Sequence, residues 1–164
     1  MVTRLTEVTH GGTAAVAAAC AVAAMGSYAL DGCPAADLIT VALEEFDRMA
    51  GENPAVAVWM QNLRAAAVAT WRPGAGGVTL DAAETLAAVV HVLATCGEDA
   101  DEAMRYAVGL GGDTDTVAAI TGGILGCRDV RVEIEWLDRA KVPDAAELDR
   151  LAEGLREMRR AAYA

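Results

Sequence analysis

Asp113, Asp115 and Thr116 put two carboxylates and a hydroxyl within one short stretch, Gly109-Leu110-Gly111-Gly112-Asp113-Thr114-Asp115-Thr116-Val117-Ala118-Ala119-Ile120-Thr121-Gly122-Gly123. Acids spaced two apart at an irregular turn can converge on one point, and the threonine adds a third hard oxygen. Such a donor set suits Mg²⁺ or Mn²⁺; zinc prefers cysteine and histidine. The alternative is purely structural: Asp113 or Thr114 as the N-cap of a helix, with Asp115 favoured in the first turn by the helix dipole. Gly111 and Gly112 permit positive φ and a close backbone approach to a ligand. A calcium EF-hand loop is excluded, because it needs Gly and Glu where this chain has Ala118 and Ile124. Asp113-Thr114-Asp115-Thr116-Val117 also has the letters of a dehalogenase-type phosphatase, but Gly-Leu-Gly-Gly before it is not the strand that such a site requires.

The elements that must position this turn read as helices. With 54% hydrophobic and only 4% aromatic residues, the core is built from Ala, Val, Leu and Met, and alanine in that quantity favours closely packed helices. A helix tail ends near Thr9-His10-Gly11-Gly12, and Thr13 caps an alanine-rich helix to Leu30. Ala35–Met49 is amphipathic through Leu38, Val41 or Ala42, and Phe46, and Pro54–Trp71 through Val56, Met60, Leu63 and Ala67. Pro73-Gly74-Ala75-Gly76-Gly77 is the clearest loop. Asp81 or a neighbour starts a helix carrying Leu86, Val89, Val90 and Leu93, which Gly97 closes, and Asp99–Val108 leads into the acidic turn. Val130–Ile134 is the one strand candidate. A last helix begins at Pro143 with Leu148, Leu151, Leu155 and Met158 as a stripe. The expectation is an all-α domain of about seven to nine helices, with 1–164 as a single unit.

Bulk properties narrow the function classes. A net charge of −11 argues against a nucleic-acid backbone or an anionic membrane as the main partner. Cys20, Cys33, Cys96 and Cys127 lack Cys-x-x-Cys spacing and read as small apolar residues in a reducing compartment, so a cytoplasmic location is expected. Thr13–Leu30 is apolar over 18 residues but mostly alanine, and reads as a buried helix rather than a membrane span. His91 lies in an apolar helical stretch and reads as packing. Asp99-Ala100-Asp101-Glu102 reads as a solvated helix start.

Gly-Gly-Asp-Thr-Asp-Thr-Val-Ala-Ala-Ile-Thr-Gly-Gly-x-x-Gly resembles the C-terminal metal motif of the ADP-ribosylglycohydrolases, the family of dinitrogenase reductase-activating glycohydrolase. The resemblance runs from about Thr6 to the region of Trp136. It implies an orthogonal all-helical fold and a pair of Mg²⁺ or Mn²⁺ ions activating water against the anomeric carbon of an ADP-ribosyl group. By the same resemblance Asp113 and Asp115 are the catalytic acids, and with Thr116 the metal ligands. His10, in Thr9-His10-Gly11-Gly12, is similar to the family's Thr-His motif bordering the ADP-ribose cleft. Gly76 and Gly77, with Gly111 and Gly112, look like the glycine segments that approach ribose and phosphates. The resemblance implies ADP-ribose or an ADP-ribosylated protein as substrate.

The departures are equally specific. Gly109 stands where the family usually has Asn, the glycine loop lacks its usual Tyr, and the later Gly-Ala-x-x-Gly survives partly as Gly126-Cys127. Thr-Asp-Asp-Thr and its accompanying Glu, the source of the remaining metal ligands, are missing, and Glu44-Glu45 does not resemble a substitute. The chain therefore reads as the C-terminal half of the family fold. Two functions follow: one part of a split or oligomeric hydrolase, completed by a companion chain or a second copy, or a non-catalytic relative acting as a binding or scaffolding protein. Apolar surface on the Thr13–Leu30 helix is expected to drive association.

Overall fold

The computed structural model describes residues 1–51, 53–128 and 144–162. They form eight helices: α1 (Val2–Thr6), α2 (Thr13–Leu30), α3 (Ala35–Ala50), α4 (Val56–Ala67), α5 (Ala82–Cys96), α6 (Ala100–Gly109), α7 (Thr114–Cys127) and α8 (Ala145–Ala162). The all-α expectation holds, and among the described residues β-structure is limited to two isolated bridges. The candidate strand Val130–Ile134 and the helix start at Pro143 lie outside the described residues. The chain divides into two compact units, Met1–Val132 and Glu133–Ala164.

In the first unit α5 is the central element. It is apolar nearly all round, which suits a helix buried on every side, and Leu86 through Leu93 is buried without a break. It packs against α2, α3, α4, α6 and α7. Its hydroxyls do not compete for outside partners: Thr85 donates to the Asp81 carbonyl and Thr95 to the His91 carbonyl, four residues back in each case. Phe46 and Trp59 meet edge to face, with centroids 6.1 Å apart, and join α3 to α4. α2 lies against α1, α3, α5 and α7. It is the one described helix long and apolar enough to cross a membrane, yet its buried face (Val16, Ala17, Ala21, Met25, Ala29) packs in this core. The large apolar side chains it leaves exposed, Tyr28 and Leu30, are confined to its C-terminal end. The structure does not show the broad apolar face expected for association.

Local chemistry sets most boundaries. Asp81 caps α5 by accepting from the N–H groups of Ala83 and Glu84, and Asp99 caps α6 by accepting from Glu102 N–H. At α2 the N-cap position falls to Gly12, and Thr13 is the first helical residue. α4 stops four residues short of Trp71, because Ala69 takes φ +56° and the N–H groups of Thr70 and Trp71 fold back onto the Ala65 carbonyl. All four cysteines are free. Burial, with Glu102 and Asp99 adding to it, pushes the Cys96 thiol up to about 11, which leaves it inert as a nucleophile near neutral pH.

The long α4–α5 connection is fastened at its start by a polar cluster in the core. His91, fully buried, places Nε2 3.2 Å from Arg72 Nη1 and 3.0 Å from the Tyr106 hydroxyl, and Trp71 packs edge-on against its ring. Arg72 also donates to the carbonyls of Ala69 and Trp71. His91 Nδ1 has no partner, whichever tautomer is present. Burial first, and then the Arg72 charge, lowers the His91 pKa, so the folded state holds the ring neutral. The unfolded chain takes up that proton below its ordinary value of about 6.5. Stability is therefore level above that pH and declines as pH falls below it, by up to about 1.4 kcal/mol per pH unit until the folded pKa is reached. Urea unfolding midpoints measured from pH 8 to pH 5 should show this decline, and a His91→Phe variant should flatten it.

Candidate functional site

The acidic turn and the glycine loop are locked together through their main chains. The Val78 N–H donates to the Gly111 carbonyl (2.9 Å) and the Asp113 N–H to the Val78 carbonyl (2.9 Å), forming a parallel bridge between Val78 and Gly112. Gly77, Gly111 and Gly112 all have positive φ, from 74° to 82°. A Cβ on Gly77 would lie 2.2 Å from the Gly111 carbonyl carbon, and one on Gly112 2.1 Å from the Val78 oxygen. Both positions exclude any side chain. Gly74 and Gly77 close the tip of the loop, with the Gly77 N–H on the Gly74 carbonyl. Beyond the bridge, Glu84 accepts from the Thr79 N–H and hydroxyl, which ties the loop to the start of α5.

Asp113 occupies the N-cap position of α7 but does not cap it. Its Oδ1 accepts instead from the Thr116 hydroxyl at 2.8 Å. The Asp113 carboxylate is half-buried, whereas Asp115 and Thr116 are exposed. Two carboxylates and a hydroxyl thus gather at the N-cap and first turn of one helix. Among the described residues no three His, Cys, Asp or Glu side chains gather closely enough to hold a metal ion. The donor set fits one hard cation that keeps most of its water, and does not by itself fill two coordination spheres.

Of the other sequence candidates, Gly77, Gly111 and Gly112 are brought directly against one another and Gly76 sits beside them in the loop tip. His10 lies exposed between α1 and α2, with Nδ1 2.9 Å from its neighbour Thr9 Oγ1, and no described contact joins it to the acidic turn. Glu45 pairs with Arg48, and Glu44 lines a separate groove of about 840 Å³ between α3 and the α5–α6 region. A cavity of about 420 Å³, lined by Glu102, Arg105, Tyr106, Gly109 and Leu110, adjoins the start of the turn. Sequence reasoning missed Val78, whose main chain makes both bridging bonds. It acts through its main chain, so its side chain carried no signal of the role.

The fold and site together define an all-helical protein with an acidic helix start held against a glycine loop. The family model described as ADP-ribosylglycohydrolase matches residues 1–164. The chain belongs to that family, and the match extends over the whole chain rather than a part of it. The family is one of hydrolases, generally metal-dependent, acting on ADP-ribosylated substrates. No curated protein and no solved structure matches the chain.

The clasp yields a paired test. Gly112→Ala places a methyl against the Val78 carbonyl at a backbone angle that alanine avoids, and should cost about 2–4 kcal/mol in chemical denaturation. Gly76→Ala, with open space around its Cβ, should stay within about 0.5 kcal/mol of the parent.

Proposed function

We propose that the chain is the acidic-turn component of a Mg²⁺- or Mn²⁺-dependent hydrolase of ADP-ribosyl N- or O-glycosidic bonds, with further ligands supplied by a second copy or a companion polypeptide. The observation that carries this reading is the behaviour of Asp113. Asp81 and Asp99 turn their carboxylates onto helix N–H groups, as caps do. Asp113, at the same position of its helix, leaves those groups and is oriented by Thr116 instead. The glycine clasp then fixes where that carboxylate stands.

Asp113, Asp115 and Thr116 would hold the ion, and when bound it supplies Lewis acidity toward water and the ribose hydroxyls. The residues of this chain do the positioning. Thr116 fixes the rotamer of Asp113, and Asp115 contributes a second negative charge at the helix start. Gly76 and Gly77 expose main chain that can lie close to ribose or phosphate, and His10 is assigned to the rim of the same cleft. The dehalogenase-type alternative is set aside, since Asp113 follows a double-glycine turn and not a strand. The incomplete donor set favours one second reading, a non-catalytic relative that binds ADP-ribosylated protein without cleaving it.

Titration calorimetry with Mn²⁺ tests the metal. The parent chain should bind at about millimolar metal, and Asp115→Ala should abolish binding while leaving the helical circular dichroism spectrum unchanged. No heat with the parent chain would reduce Asp113 and Asp115 to structural acids. Release of ADP-ribose from a modified protein should require a second chain, another copy or a companion, that supplies the remaining ligands. Robust turnover by a purified monomer would overturn the shared-site reading, and ADP-ribose binding without turnover in any mixture would favour the non-catalytic one.

A further inference from the structure

His91 is a titratable group inside the core that the acidic turn does not use, and its surroundings admit one protonation state. Nε2 stands 3.2 Å from Arg72 Nη1 and 3.0 Å from the Tyr106 hydroxyl. A guanidinium only donates, so Nε2 must accept, and the ring proton sits on Nδ1, which has no partner. A second proton could go only onto the Nε2 lone pair. It would set two cations against each other at a fully buried position. Tyr106 can turn its hydroxyl to accept; Arg72 cannot, and must withdraw. No carboxylate offsets the charge. The α4–α5 connection brings Arg72 to the ring and α6 brings Tyr106. Among the described residues α2, α3, α4 and α7, also packed on α5, place no group in hydrogen bond with it, and Arg72 is the charge that acts on it.

Arg72 Nη1 also donates to the Ala69 and Trp71 carbonyls, which closes the left-handed turn at Ala69 and aims the chain into Pro73–Gly77. After Val78 the connection has fastenings of its own: the Gly112 bridge, Glu84 on Thr79 and the Asp81 cap. Between Arg72 and Val78 the backbone bond is internal to the tip, from the Gly77 N–H to the Gly74 carbonyl. We propose that His91 is a proton-operated latch on the glycine loop: the neutral ring lets Arg72 pin the loop entry to the core, and the protonated ring drives Arg72 off and frees the Pro73–Gly77 tip while the Val78–Gly112 bridge stays closed. The pinned form prefers the neutral ring, so its advantage is complete above the ordinary histidine value of about 6.5 and declines as pH falls below it. The release stands on the core geometry alone. Its consequence rests on the hydrolase reading, in which Gly76 and Gly77 meet ribose or phosphate.

Amide NMR of the full chain from pH 8 to pH 5 tests it, with the His91 ring C–H signals followed in the same samples. The Gly74, Gly76 and Gly77 amides and the Trp71 indole should shift together with the ring, at one midpoint below about 6.5, while the Val78 and Asp113 amides hold. His91→Gln keeps an acceptor toward Arg72 but takes up no proton, and should leave the tip in its pH 8 state throughout. Arg72→Met should show the freed tip already at pH 8 and move the His91 midpoint upward, since the opposing charge is gone; it carries the test if the glutamine variant fails to fold. A tip that stays put while the ring titrates, a tip that moves equally in His91→Gln, or a chain that unfolds as a whole before the tip moves overturns the latch. A tip that moves as stated in a chain that binds no ADP-ribose supports the latch and overturns the ligand reading alone.

Discussion

The bridge between Val78 and Gly112 is the constraint on which the site depends. Two loops distant in sequence share a pair of main-chain hydrogen bonds, and main-chain groups can approach so closely only where no Cβ intervenes. Gly77 and Gly112 meet that demand from opposite sides. The bridge ends at the Asp113 N–H, one residue before α7 begins, so the first turn of that helix inherits its position from the loop. The same loop runs through Thr79 and Asp81 into the N-terminus of α5. The acidic turn is thereby referenced to the most deeply buried helix of the unit.

The other end of that loop is held differently, by polar groups inside the core. The rings of His91 and Tyr106 and the guanidinium of Arg72 meet beside Trp71, where an apolar trio would pack without the need for paired donors. A neutral imidazole between a cation and a phenol fixes the direction from which the chain enters the loop, and the unpartnered Nδ1 is a cost of that arrangement. A second clasp lies at the far end of α7. Arg128 donates to the Gly97 carbonyl and pairs with Glu98, which also accepts from the Ala35 N–H and so satisfies the N-terminus of α3. The Arg128 hydrogen bond first, and then the Ala35 N–H, hold the Glu98 carboxyl below its ordinary range. Both ends of α7 are thus tied to neighbouring segments by directional bonds, and not by apolar packing alone.

Much of this was legible in sequence, and the limits have physical causes. Helix periodicity with Asp81, Asp99 and the punctuating glycines located the elements, because caps and glycine stops act within a few residues. The end of α4 was misread because Ala69 adopts a left-handed conformation that sequence would assign to glycine or asparagine. Gly76-Gly77 and Gly111-Gly112 were each visible as flexible points, but their mutual hydrogen bonding is a long-range fact that no local pattern encodes. His91 read as packing and is buried, yet its partner Arg72 lies between the helix read as Pro54–Trp71 and the loop that starts at Pro73, where nothing marked it. The need for glycine at 77 and 112 follows only from the clash distances, and at 111 from its positive φ. The acidic turn was read in sequence as a donor set, and the geometry adds that Thr116 and not the helix N–H groups engages Asp113.

That incompleteness bears on how the turn can work. A cation held by two carboxylates and a hydroxyl retains several waters, so its affinity depends on how little the ligands must reorganise when it arrives. This chain reduces that reorganisation. Asp113 is oriented by Thr116, Thr116 by its place in the helix, and the helix start by the glycine clasp. A caplike acid gains nothing from such support, because its partners are N–H groups already fixed by the helix. Such support is what the proposed shared centre would require. Each partner must present its ligands preformed, since any disorder left in one half must be removed at the cost of affinity when the two halves meet.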